Sequence, residues 1–142
     1  IFQHPFYWYS TPSILKEWQD LVLQHDWAYG SKGIALEGKH FLQVLTAGSS
    51  DAAYQRDGVK EATIDDLLAP FRAMARLCKM HCLPPYAILG VHKGVPKSTI
   101  RQHAENYKRA LIHLGDESND LQSLQKTENL CEFFTLEQPG RI

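Results

Sequence analysis

Apolar positions along the chain alternate between short continuous runs and longer stripes at helical spacing. Ile1-Phe2-Gln3 reads as the end of a strand whose start is absent, and the aromatic-rich loop His4 to Ser10 follows it. In Thr11-Pro12 the threonine suits a helix cap and the proline a first turn. Ile14, Leu15, Trp18, Leu21 and Val22 then recur with helical period opposite Lys16, Glu17, Gln19 and Asp20, which predicts a helix to about His25 with Trp18 in the core. Residues 26–38 hold three glycines and no sustained period, so they read as a long loop. Phe41-Leu42-Gln43-Val44-Leu45 is a nearly continuous apolar run, as expected of a strand buried on both faces.

Small residues, Thr46 to Ser50, break that strand. Thr63 with Asp66 three residues on forms a capping-box pattern, and Ile64, Leu67, Leu68, Phe71, Met74, Ala75 and Cys78 make the stripe of a second helix, which Pro70 should bend. Pro84-Pro85 ends that segment, and Tyr86 to Val91 is a third strand. A third helix starts within 96–99, carries Ile100, Ala104, Tyr107, Leu111 and Leu114, and stops at Gly115. Strands alternating with helices in this way require right-handed crossovers, hence an open α/β fold with a parallel sheet and helices on both faces. Residues 1–115 are read as this domain and 116–142 as an accessory tail, polar at first, with a late apolar cluster at Leu130, Cys131, Phe133, Phe134 and Leu136.

Composition narrows the function classes. The 142 residues are 44% hydrophobic and 22% charged, which fits one ordinary folded domain, and a net charge of −1 supplies no basic surface for nucleic acid. No apolar run reaches the roughly 20 residues that span a bilayer, so the chain is read as cytoplasmic. Three cysteines without a regular framework fit a reducing compartment. Cys78, His81 and Cys82 contain metal-ligand types, but no fourth ligand stands at a recognisable spacing, and the thiols read as buried free cysteines. No metal is expected.

In open α/β sheets, ligands bind beyond the carboxyl ends of the strands. The loops expected there are His4-Pro5-Phe6-Tyr7-Trp8-Tyr9-Ser10, Thr46-Ala47-Gly48-Ser49-Ser50 continuing to Tyr54, and His92-Lys93-Gly94. The first two suit a flat heteroaromatic ring. The aromatic loop can wall a ring face, Gly48 lets the backbone come close, and hydroxyls of Thr46, Ser49 and Tyr54 can reach ring heteroatoms.

At these residues the chain resembles the flavodoxin-like NAD(P)H:quinone oxidoreductase family, which includes ancillary oxidoreductases of glutathione-gated potassium-efflux systems and general-stress reductases. The resemblance rests on Gln3 to Ser10, Pro12, Leu15-Lys16-Glu17-Trp18, Asp20, Val22-Leu23 and Trp27-Ala28-Tyr29-Gly30. It continues through Leu36, Gly38-Lys39, Thr46, Gly48, Tyr54, Leu68, Pro70-Phe71 and Leu83-Pro84-Pro85, covering about residues 1–115. It implies the C-terminal two-thirds of a flavodoxin-like domain, with the first strand and phosphate-binding loop missing. It further implies that Pro5, Phe6, Tyr7, Trp8 and Tyr9 wrap a flavin ring, FMN or FAD, with Trp8 covering it, and that Thr46, Ala47, Gly48 and Ser49 line the pyrimidine side. Tyr54 occupies the place of a tyrosine that stabilises charge on the reduced flavin, and Tyr29 that of a residue reaching into a neighbouring subunit's substrate pocket in a homodimer.

The chain also departs from the family pattern. Thr-Thr-Gly-Gly is here Thr46-Ala47-Gly48-Ser49, and a histidine partnering the tyrosine falls at or near Lys60, a cation suited to an anionic flavin but poor at shuttling a proton near neutral pH. The expected activity is two-electron transfer from NAD(P)H through the flavin to a quinone or similar electrophile, with Tyr54 and Lys60 as catalytic residues. The alternatives are a regulatory subunit docked on a potassium-efflux transporter at the inner face of the membrane, and an inactive remnant.

Overall fold

The computed structural model describes residues 1–136. Three parallel strands, β1 (Phe2–Pro5), β3 (Gln43–Ala47) and β5 (Tyr86–Leu89), form a sheet in the order β1-β3-β5. Phe2 stands opposite Gln43 at one end of the register, and Ala47 opposite Leu89 at the other. The apolar run after His40 is split at Leu42. Its first residues, His40–Phe41 (β2), pair with His81–Cys82 (β4) in a separate two-stranded ladder, and only from Gln43 does the chain join the main sheet. β1 has a free edge, where a proline such as Pro5 costs no ladder hydrogen bond.

Both faces of the sheet are covered, which explains why β3 is buried except at Thr46. On one face Leu45, Ala47 and Ala87 meet Ile64, Leu68, Phe71 and Ala75. Ile64 comes from α2 (Ile64–Leu67), Phe71 and Ala75 from α3 (Ala69–Leu77), and Leu68 from the junction between them. The Thr63–Asp66 capping box is present in both directions: the Thr63 hydroxyl accepts from the Asp66 N–H at 3.0 Å, and the Asp66 carboxylate accepts from the Thr63 N–H at 3.1 Å. Pro70 does more than bend the helix. It sits in the first turn of α3, and Leu68, at φ −87° and ψ 5°, separates two helices where the pattern predicted one.

On the other face Leu42, Val44, Leu83 and Tyr86 pack against Ala110, Leu124, Leu130, Cys131 and Phe134. Ala110 belongs to α4 (Lys97–Gly115); Leu124 lies in a 3₁₀ turn, Ser123–Lys126, and the last three residues in α5 (Leu130–Leu136). Residues 116–136 thus dock on the sheet and supply four of the nine buried residues of this core. α4 is rotated from its expected phase: Ile100 and Leu111 face solvent, whereas Asn106 and Ala110 are buried against α5. Asn106 can be buried because Thr135 accepts from its Nδ2 at 2.9 Å and Gln102 donates to its Oδ1 at 3.0 Å.

α1 (Ser13–Val22) also differs from expectation. It ends three residues short of His25, its cap is Pro12 without a side-chain bond, and the Thr11 hydroxyl is buried unpaired. Trp18 is 44% exposed, and Ile14 and Leu21 are more exposed still. Trp18 meets the sheet edge-on, through the Phe2 ring at 5.5 Å. The buried residue of α1 is Gln19, so Ile14, Trp18 and Leu21 form an apolar stripe turned to solvent.

Candidate functional site

The loops after β1, β3 and β5 meet at the carboxyl end of the sheet, and hydrogen bonds tie each to the next. The Phe6 N–H donates to the Thr46 carbonyl at 2.8 Å, Gly90 N–H to the Ser49 carbonyl at 2.8 Å, and His92 N–H to the Gly48 carbonyl at 3.4 Å. Gly90, at φ 78°, makes the turn out of β5 that a side chain would strain. Gly48 is held close to the third loop, since a methyl group in its place would lie 3.2 Å from His92 Cβ.

The aromatic loop is a tight hairpin. Tyr7 and Ser10 exchange two backbone hydrogen bonds, at 3.0 and 2.9 Å, around Trp8 and Tyr9, which have φ of 47° and 61°. Two consecutive left-handed residues are usual for Asn and Gly, not for two large aromatics, and such strain is held where the surroundings enforce it. The turn presents Trp8 at 93% exposure, and among the described residues the Trp8 and Tyr9 N–H groups have no acceptor. The Phe6 and Tyr7 amides are already bonded within the loop cluster. Gly48 and Ser49 likewise offer N–H groups without an acceptor among the described residues.

Side chains complete the cluster. Tyr54 ends a 3₁₀ turn, Asp51–Tyr54, and is 6% exposed, its ring tilted against Phe6 at 6.2 Å. Lys60 Nζ donates to the Tyr9 hydroxyl at 3.1 Å and lies 5.3 Å from the centre of the Tyr9 ring. The Tyr9 hydroxyl raises the lysine's pKa above its ordinary value, so Lys60 is a cation at any physiological pH. Its partner in the structure is therefore Tyr9, a link that no local pattern announces because 51 positions separate the two. Thr46 is exposed at the end of β3, and Ala47 is buried beside it.

Tyr29 stands apart from Tyr54. It packs edge-on against His25 at 5.4 Å and lines a cavity of about 440 Å³ between α1 and α3, which also reaches Ser10 at the foot of the hairpin. A larger cavity, about 630 Å³, runs from Tyr54, Arg56 and Asp66 along the outer edge of β5 to Asn129 and Glu132. Sequence reading missed it, since its walls come from segments without a shared motif.

The sequence profile of a family described as having a flavodoxin-like fold matches residues 1–111. The chain belongs to this family. General stress protein 14 of Bacillus subtilis is 48% identical over 92 residues, 65% of this chain and 53% of that protein. The glutathione-regulated potassium-efflux system ancillary protein KefG of Salmonella paratyphi B is 39% identical over 107 residues, 75% of this chain and 58% of that protein. The chain therefore spans little more than half the length of these relatives.

Solved structures of similar chains include a general stress protein 14 from Treponema denticola in complex with FMN, with a TM-score of 0.66 and 32% identity over 87% of this chain and 64% of that one. An NADPH-quinone reductase from P. pentosaceus gives 0.63 and 36%, over 70% and 58%. A thermophilic tryptophan halogenase enzyme from Streptomycin violaceusniger gives 0.74 and 40%, over 78% and 64%. The names cover different chemistries, so for this flavodoxin-like chain the shared fold does not by itself fix a reaction.

Proposed function

We propose that this chain forms the ring-binding part of a flavin-dependent NAD(P)H:quinone oxidoreductase, with FMN as the flavin. One observation carries the reading: a strained hairpin exposes an indole at the carboxyl end of the sheet, where the N–H groups of Trp8, Tyr9, Gly48 and Ser49 have no acceptor among the described residues. That is the donor set and apolar face that an isoalloxazine requires, with its ring oxygens and nitrogens as acceptors. The bound flavin would supply the hydride chemistry, taking two electrons from NAD(P)H and passing them to a quinone. Both relatives named for general stress protein 14, one of them in complex with FMN, and the NADPH-quinone reductase support this assignment.

The chain's own residues then have distinct tasks. Trp8 covers one ring face, and the Pro5 to Tyr9 backbone sets its distance from the sheet. Thr46 to Ser49 face the pyrimidine edge. Lys60, fixed by Tyr9, places positive charge at the loop cluster, where it favours an anionic reduced ring. Tyr54 packs at a tilt against Phe6 and holds the loop in place as well as offering its hydroxyl. Tyr29, on the α1 side, belongs to a substrate pocket completed by a second subunit.

The test is a visible spectrum of the purified chain titrated with FMN, followed by NAD(P)H oxidation with a quinone acceptor. Shifted flavin bands and quinone-dependent oxidation are expected. Failure of the chain to bind FMN, both alone and joined to an N-terminal strand and phosphate loop, overturns the reading. A second role, docking on a potassium-efflux transporter, is favoured by the likeness to KefG and by the exposed stripe Ile14, Trp18 and Leu21. Co-purification with such a transporter, lost in Trp18→Glu, is its signature.

A further inference from the structure

At the amino end of the sheet, opposite the loop cluster, two histidines face each other. His40 and His81 occupy directly paired positions of β2 and β4, and the register is locked by the His81 N–H donating to the Lys39 carbonyl and the Leu83 N–H to the Phe41 carbonyl, each at 2.8 Å. Neighbouring strand residues alternate sides, so both imidazoles project away from Phe41 and Cys82, which turn into the core. Both are exposed. Their ring centroids are 5.4 Å apart, with planes inclined at 37°.

The other histidines are engaged differently. His4 bonds Gln43 and the Pro5 carbonyl, His25 pairs with Asp26, His103 meets the Cys131 thiol, His113 stacks on Phe134, and His92 lies against Gly48. The rings of His40 and His81 have no hydrogen-bond partner among the described residues, which leaves their nitrogens free to act as ligands.

We propose that His40 and His81 chelate a late first-row divalent cation, Cu²⁺ most tightly, with water filling the remaining positions. An ion held about 2.0–2.1 Å from one nitrogen of each ring sets the ring centroids roughly 5.1–5.3 Å apart at a tetrahedral angle. The observed 5.4 Å is slightly wider, a difference that a small side-chain rotation or an angle opened by a few degrees removes. Parallel pairing fixes both Cα positions, so binding orders only side-chain torsions, and imidazole nitrogens prefer copper, nickel and zinc to magnesium or calcium. The Lys79–Glu37 ion pair, at 3.0 Å, lies on the flanking turns. A bound ion would staple β2 to β4, two-residue strands that hold Lys39–Phe41 and His81–Leu83 together.

Cu²⁺, Ni²⁺ and Zn²⁺ are titrated calorimetrically at neutral pH into the wild-type chain, His40→Ala, His81→Ala and the double variant. One ion per chain is expected, tightest for Cu²⁺, with at least a tenfold loss of affinity in either single variant and no further loss in the double one. Proton NMR of the wild-type chain gives a check that needs no substitution: substoichiometric Cu²⁺ should broaden the His40 and His81 ring resonances together and before those of His25 or His92. Equal binding by the wild type and the double variant, or broadening of one of the two rings without the other, overturns the proposal.

Discussion

Asn129 offers the sharpest test of how the second face of the domain is closed. Its Oδ1 accepts from the Ala87 N–H at 2.9 Å and its Nδ2 donates to the Ala87 carbonyl at 3.0 Å, so one side chain satisfies the outward backbone groups of the β5 edge as a neighbouring strand would. The same Oδ1 accepts from the Cys131 N–H at 3.0 Å, capping α5, and the Leu130 N–H adds a bond of 2.9 Å to the Pro85 carbonyl. In Asn129→Ala the buried Ala87 loses both partners, at about 1–3 kcal/mol for each group left dry, and α5 loses a cap worth about 1 kcal/mol. The adjoining 630 Å³ cavity admits water to Ala87, which holds the backbone cost to the low end and the total to roughly 2–4 kcal/mol. In urea, with a slope of about 2 kcal/mol per molar, that is a midpoint lowered by about 1–2 M with the slope unchanged. Asn129→Asp separates the two roles, since it keeps both accepted bonds and sets a carboxylate against the Ala87 carbonyl, so it should fall between wild type and Ala. A midpoint for Asn129→Ala within about 0.3 M of wild type would refute the edge-closing argument.

Trp8→Gly should move stability and binding in opposite directions: relief of a left-handed φ worth about 1–2 kcal/mol outweighs or cancels glycine's added chain entropy, so the urea midpoint holds or rises. FMN affinity should drop at least tenfold in the same protein, and a clear loss of stability would contradict the strain assigned to the hairpin. The Thr63 N–H and hydroxyl, with Arg56 adding less, hold the Asp66 carboxyl below its ordinary pKa of 3.8. Its contribution is complete above that value and is lost as pH falls through the depressed folded pKa, so Asp66→Asn should flatten the acid limb of a stability–pH curve while leaving its response between pH 6 and 8 unchanged. Burial pushes the thiols of Cys78, Cys82 and Cys131 upward, so iodoacetamide near pH 7 should alkylate them slowly in the folded chain and rapidly in urea. Fast labelling of Cys131 in the native state would show that α5 opens readily.

What the sequence determined by itself is what neighbouring residues decide among themselves. The Thr63–Asp66 cap is an interaction within a turn of chain, and the alternation of apolar runs with helical stripes follows from the periods of the backbone, so the parallel α/β order and the three loops at the strand ends were legible, whereas Pro70 was legible as a bend and not as the break between two helices. The tertiary structure decided which side of each helix is covered. Trp18 and Ile100 stand on apolar stripes that reach solvent, whereas Asn106 is buried, because a helix buries the side on which another element lies, and α5 is placed against α4 by packing 25 or more residues away. The same holds for Lys60 with Tyr9 and for His40 with His81: their approach depends on strand register and loop closure across dozens of residues, and nothing in either local sequence encodes a distance of that kind.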